Sequence, residues 1–170
     1  MRIDRIEASK HKRGRVLVFL ADGSLLKVTE QELLTFGLRS GDELDEETLT
    51  RLKKSAGVSN IKTTAADLVG RRAMSRRDLE KKLQEKGASE TEARYAGEWL
   101  EAIGALDDGA YAAALVRHCG DMGYGPRRAR EKLREKGVPQ ELWDEALDEL
   151  PPDGEQIDRF LQSKLHGRSP

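Results

Sequence analysis

Few side chains in this 170-residue chain stand where chemistry would need them. Asp107 and Asp108 form a carboxylate pair of the kind that holds a metal or shares a proton. They precede a helical stretch, however, where an N-cap and a first-turn acid account for both. His118 lies beside the single cysteine, Cys119, but His11 and His166 fall in unrelated segments, so neither a metal-ligand set nor a nucleophile–base pair assembles. No Gly-x-x-x-x-Gly-Lys-Ser/Thr run offers a phosphate cradle. Trp99 and Trp143 are base-stacking candidates, but their helical spacing assigns them to packing between helices. Tyr124, between Gly123 and Gly125 and beside Arg127, is the candidate exposed aromatic contact. The chain is therefore read as having no catalytic residue, no metal and no cofactor; it is not an enzyme.

What remains is a repeated basic unit. Residues 75–87 align with residues 125–137 at an offset of fifty, and six of the thirteen pairs are identical, including the shared Leu-x-Glu-Lys-Gly ending. Self-similarity at a fixed period implies stacked supersecondary units that present one extended surface. Arg71, Arg72, Arg76, Arg77, Arg127 and Arg128 cluster at the starts of the two repeated helices. Cations at a helix N-terminus oppose its dipole by about 0.3–1 kcal/mol each, a cost that points to use. With Lys81, Arg117, Tyr124 and Arg130 they make up the candidate set for binding a partner or nucleic acid.

Charge alternates helix by helix. Residues 71–86 hold seven bases against three acids and residues 127–136 hold six against two, each a net +4. Residues 89–101 sum to −3 and residues 139–150 to −5. Each unit thus sets a basic middle helix beside an acidic last one. Two accounts are open: the helices neutralise one another within the unit, or the arginines serve a polyanion or an acidic partner surface. The net charge of −1 argues against simple binding of polyanions.

The elements that must position these residues follow from local pattern. Arg15–Leu20 and Ser24–Val28 are β-type runs joined through Asp22-Gly23, a hairpin signal, and Ile3–Ile6 supplies a third strand. Lys10-His11-Lys12-Arg13-Gly14-Arg15 reads as a solvated loop between strands. Thr29-Glu30-Gln31-Glu32 is a capping-box pattern for a short helix that stops at Gly37. Asp45 opens a further helix running to about Gly57, and residues 58–60 read as a linker, with a flexible joint near 57–62. Helices are expected over 64–72, 75–86 and 89–103, then over 108–122, 125–136 and 139–150, with Trp99 or Trp143 buried in the seam between the two sets. Ile157, Phe160, Leu161 and Leu165 continue the helical spacing.

The predicted fold is mainly α: tandem three-helix repeats, elongated and right-handed in stacking, after a small β-hairpin-containing module. The expected divisions are 1–60, an N-terminal α+β module; 63–106, repeat one; 107–150, repeat two; and 153–170, the start of an incomplete repeat three. One cysteine and the absence of any membrane-length apolar run or signal-peptide core point to a soluble cytoplasmic monomer.

Three motifs resemble those of the RecX family, regulators of the RecA recombinase. Leu68-Val69-Gly70-Arg71-Arg72-Ala73-Met74-Ser75-Arg76-Arg77-Asp78-Leu79 with Leu83 and Gly87 resembles the opening motif, with Met74 where the family often has arginine. Residues 104–112, centred on Leu106-Asp107-Asp108 and Tyr111-Ala112, resemble the second. Gly123-Tyr124-Gly125-Pro126-Arg127-Arg128 with Leu133, Gly137 and Val138 resembles the third. The resemblance spans residues 64–165, and the hairpin before it is similar to an extension found in some members. It implies a non-enzymatic protein that binds in the groove of the RecA–single-stranded DNA filament and modulates, mostly inhibits, its activity in DNA repair, homologous recombination and the SOS response. A direct nucleic-acid-binding helical module is the alternative.

Overall fold

A computed structural model describes residues 1–152; the expected third repeat lies outside them. The chain divides into two compact units, residues 1–64 and residues 65 onward.

In the first unit, β1 (Ile3–Ala8), β2 (Arg15–Leu20) and β3 (Leu25–Thr29) form an antiparallel sheet in that order. The turn falls where Asp22-Gly23 placed it: Gly23 takes φ 86° and the Asp22 carboxylate accepts the Ser24 N–H at 2.9 Å. Val16, Val18 and Leu20 alternate along β2 onto one face and meet Leu52 and Ala56 of α2 (Glu46–Arg71). Burying Leu52 completely contributes about 1.5–3 kcal/mol. Helix α1 (Glu30–Thr35) starts with the expected capping box, Glu32 N–H to Thr29 Oγ1 at 3.1 Å and Thr29 N–H to Glu32 Oε1 at 3.0 Å.

The expected linker is helical. α2 runs unbroken through residues 57–62, because its weak helix formers are held by hydrogen bonds from outside the helix ladder. Ser59 Oγ donates to Glu32 Oε1 at 2.9 Å, Asn60 Nδ2 donates to Lys27 O at 3.2 Å, and the Thr63 and Thr64 hydroxyls return to Ser59 O and Asn60 O. Ser55 also donates to Glu32. Burial works to raise the Glu32 pKa, but the bonds from Ser55, Thr29 and Ser59 overcome it and hold the carboxyl below its ordinary 4.5.

The second unit is helical: the end of α2, then α3 (Arg76–Glu85), α4 (Glu90–Ala102), α5 (Asp108–Asp121), α6 (Pro126–Glu135), a 3-10 turn at Gln140–Leu142 and α7 (Trp143–Leu147). The fifty-residue offset survives in space. Leu79 and Leu83 are the buried positions of α3, and Ala129 and Leu133 are those of α6. Both helices end alike: Gly87 and Gly137 turn to positive φ, and the next residue's N–H returns to Leu83 O or Leu133 O at 3.0 Å. The last helix, expected over 139–150, is shorter, since a 3-10 turn follows Pro139 and Trp143 onward carries no side-chain cap.

Trp143 packs within its own helix set rather than in the seam. It is half-buried against Val116, Leu133 and Ala146, and its indole N–H donates to Val138 O at 2.9 Å. The sets approach closely at Gly137, where an added Cβ would lie 2.5 Å from Arg77 Cδ and 2.9 Å from Arg77 Cβ. Gly87 also takes a positive φ, with open space around it. Gly137→Ala should therefore cost at least about 1 kcal/mol more than Gly87→Ala in chemical denaturation. Equal costs would remove the close approach from the account.

The Glu32 shift has a definite sign. A depressed folded-state pKa stabilises above the unfolded value and loses that contribution as pH falls through the folded one. Stability should drop below about pH 4.5, and Glu32→Gln should flatten that part of the pH–stability profile measured by urea unfolding.

Candidate functional site

The site is built from helix ends. α3 is capped by Ser75, whose Oγ accepts the Asp78 N–H at 3.2 Å. The same hydroxyl donates to the backbone carbonyl of Lys136 at the end of α6, and Ser75 is fully buried. Asp107 caps its own helix, α5, accepting Ala110 N–H at 3.0 Å. Asp108 reaches across to α3 and accepts the Arg76 N–H at 2.8 Å. Two adjacent carboxylates thus cap two different helices.

The ten predicted contact residues divide by what surrounds them. Arg76 is committed internally: its guanidinium pairs with Glu80 at 3.1 Å, Glu101 at 3.0 Å and Glu98 at 3.6 Å, leaving the side chain 26% exposed. Burial works to lower its pKa, and the Glu80 bond with the Glu101, Glu80 and Glu98 charges more than offsets this, so the cation is held more firmly. Gly97 makes room for this cluster, since a Cβ there would stand 3.1 Å from Arg76 Nε. For Arg76, neutralisation between neighbouring helices is thus what the structure contains.

Arg117 pairs with Glu149 at 3.5 Å. Tyr124, expected to be exposed, is half-buried beneath the Arg128 guanidinium, which stands 4.4 Å from its ring centre. Arg71, Arg72, Arg77, Lys81, Arg127 and Arg130 are exposed and form no ion pair with the described residues. The Arg72 charge is felt at the Tyr111 phenol, whose pKa burial nevertheless raises.

Cys119 is buried and its thiol is pushed up by burial, while His118 is exposed. Among the described residues no group of three or more His, Cys, Asp or Glu side chains could hold a metal, and no helix is long and apolar enough to cross a membrane. Sequence reasoning missed Ser75 and the reach of Asp108. The one visible signal was the mismatch of Ser75 with Gly125 in otherwise matching repeats.

Residues 107–147 match the family described as RecX, second three-helix domain. The regulatory protein RecX of Pseudomonas putida is 34% identical over 111 residues, which cover 65% of this chain and 71% of that protein. This chain belongs to the RecX family. The Bacillus licheniformis RecX is 32% identical over 85% of this chain and 56% of its own length, and that of Limosilactobacillus reuteri is 30% identical over 98% and 64%. The chain thus spans roughly three fifths of those two relatives. A crystal structure of regulatory protein RecX superposes with a TM-score of 0.75 at 28% identity, over 99% of this chain and 85% of that one. RecX from Lactobacillus salivarius shares the fold at a TM-score of 0.58 and 24% identity, over 65% of this chain and 73% of that one. These relatives are named regulatory proteins.

Arg76→Glu would set a fourth carboxylate among Glu80, Glu98 and Glu101, and should destabilise the protein by about 1–3 kcal/mol in thermal or chemical unfolding. Arg77→Glu, one residue on, should stay within about 0.5 kcal/mol of the parent. Equal losses at the two positions would contradict the division between them.

Proposed function

We propose that this chain is a non-enzymatic regulator that binds a RecA recombinase filament on single-stranded DNA, within its groove, and restrains its activity. The reading rests on one observation: in a member of the RecX family, Arg71, Arg72, Arg77, Arg127 and Arg130 stand exposed and without ion pairs among the described residues. A guanidinium left unpaired offers a planar fork that fits phosphate and carboxylate equally well. Repeated three-helix units would spread such forks along an extended surface, with residues 63–106 and 107–150 as successive contact modules.

The opposite charges on the same unit favour a filament over bare DNA. Asp144, Glu145 and Asp148 of the last helical stretch are exposed and would repel a bare polyanion. A filament presents both protein surface and phosphates, so a two-signed face gains register there and not on naked strand. Action in the cytoplasm as a monomer belongs to the same proposal.

The test is the ATPase of RecA on single-stranded DNA, titrated with this protein below the recombinase concentration. Inhibition is expected, and the variant Arg77→Glu/Arg127→Glu/Arg130→Glu should lose it while keeping its helical content. Undiminished inhibition by that variant would refute the assignment of these arginines. Inhibition that appears only when the protein matches the DNA in amount would instead favour sequestration of the strand.

A further inference from the structure

The first unit carries a segregation of charge that the proposed function does not use. Residues 8–21 contain Lys10, Lys12, Arg13 and Arg15 and no acid; residues 48–64 contain Arg51, Lys53, Lys54 and Lys62 and no acid. The fold sets the β1–β2 loop against the middle of α2. Arg15 opens β2 directly after the β1–β2 loop, and its buried guanidinium donates to the Asn60 side-chain carbonyl on α2. Lys62 follows within one turn of that helix.

The loop is shaped, and its charges point away from the core. Ser9 N–H donates to Arg15 O at 2.9 Å, the Ser9 hydroxyl accepts the His11 and Lys12 N–H groups at 3.3 Å, and Gly14 takes φ 78°. Lys10, His11, Lys12 and Arg13 are all exposed. Acids collect at the opposite end of the sheet, where Ile3 N–H bonds Asp42 O and the Met1 ammonium pairs with Glu43. The acids beside the loop and the α2 stretch are Glu7, exposed and paired with Arg5, Asp45, which feels the Arg51 charge, Glu30, exposed on α1, and Glu32, buried and satisfied by Thr29, Ser55 and Ser59.

A cleft of about 570 Å³ runs between α1 and α2. Phe36 and Val58 line it, and Arg51, Lys54 and Lys62 follow one face of α2 along its edge. Their spacing makes a row about 16 Å long. The Arg51 guanidinium stands 5.8 Å from the Phe36 ring centre, so the cleft offers an aromatic and a planar cation together. Phosphates suit the row and the loop; an unstacked base suits the cleft. A duplex keeps its bases stacked inside and has nothing to insert.

We propose that this face of the first unit binds single-stranded nucleic acid, with phosphates on the β1–β2 loop and the α2 row and a base in the Phe36 cleft. The site is independent of the arginines assigned to the recombinase filament, and its test contains no recombinase. Fluorescence anisotropy of a labelled oligothymidylate with the full chain, over 50–200 mM salt, should show binding that weakens with salt. The variant Lys10→Gln/Arg13→Gln/Arg51→Gln/Lys54→Gln should bind about tenfold or more weakly at low salt. Its log–log salt slope should fall by about 3, since each single-strand phosphate contact contributes about 0.7. Lys10→Gln/Arg13→Gln alone, confined to the loop, should lower the slope by about half as much, and Phe36→Leu should weaken binding without changing the slope. Unchanged affinity in the four-residue variant overturns the proposal. So does equal competition by an unlabelled duplex, or loss of bare-strand binding only in an Arg127→Gln/Arg130→Gln control.

Discussion

The hydroxyl of Ser75 is fully buried and satisfies two helix ends at once, accepting from the Asp78 N–H at the start of α3 and donating to Lys136 O at the end of α6. A helix start carries partial positive charge and a helix end partial negative charge, so the arrangement is head to tail and electrostatically favourable. Asp108 adds a full charge to the same start, through the Arg76 N–H. Without these side chains, backbone groups would be left buried and unmatched, at about 1–3 kcal/mol each. The close approach of Gly137 to the Arg77 stem follows from this junction, because two helix ends joined through one hydroxyl leave no room for a Cβ.

The junction also sorts the arginines. With the start of α3 fixed, residue 76 faces α4, where Glu98 and Glu101 wait, and Arg77 lies over α6 with its surface open to solvent. The repeated helix is treated differently. Gly125 stands where Ser75 does, so α6 has no side-chain cap and no acid in its first turn, and Pro126 replaces Arg76. One copy of the motif spends an arginine on its own acidic helix; the other holds Arg127 and Arg130 out without partners among the described residues.

Much of the local structure was legible because it depends on neighbours in sequence. The Asp22-Gly23 hairpin, the Thr29–Glu32 capping box and the glycine endings of α3 and α6 each rest on residues within five positions of one another. The linker expectation failed for the opposite reason. Ser59 and Asn60 are weak helix formers by propensity, but Glu32 and Lys27, about thirty residues away, supply the hydrogen bonds that keep them in α2. Spacing marked Trp143 as a residue packing between helices, and only contacts decided that it serves its own helix set.

By itself the sequence determined the helical repeat, the family to which the chain belongs and the stock of basic side chains. Composition and periodicity are carried by residue type alone. Tertiary structure decided which arginines are spent and which are held out, and that Asp107 and Asp108 cap different helices. Those outcomes turn on whether a carboxylate or an N–H lies about 3 Å away. The partners concerned, Glu101 for Arg76 and Arg76 for Asp108, are 25 and 32 residues distant along the chain. Ion pairing and hydrogen bonding fall off within a few ångströms, so only the folded positions of separate helices can set them.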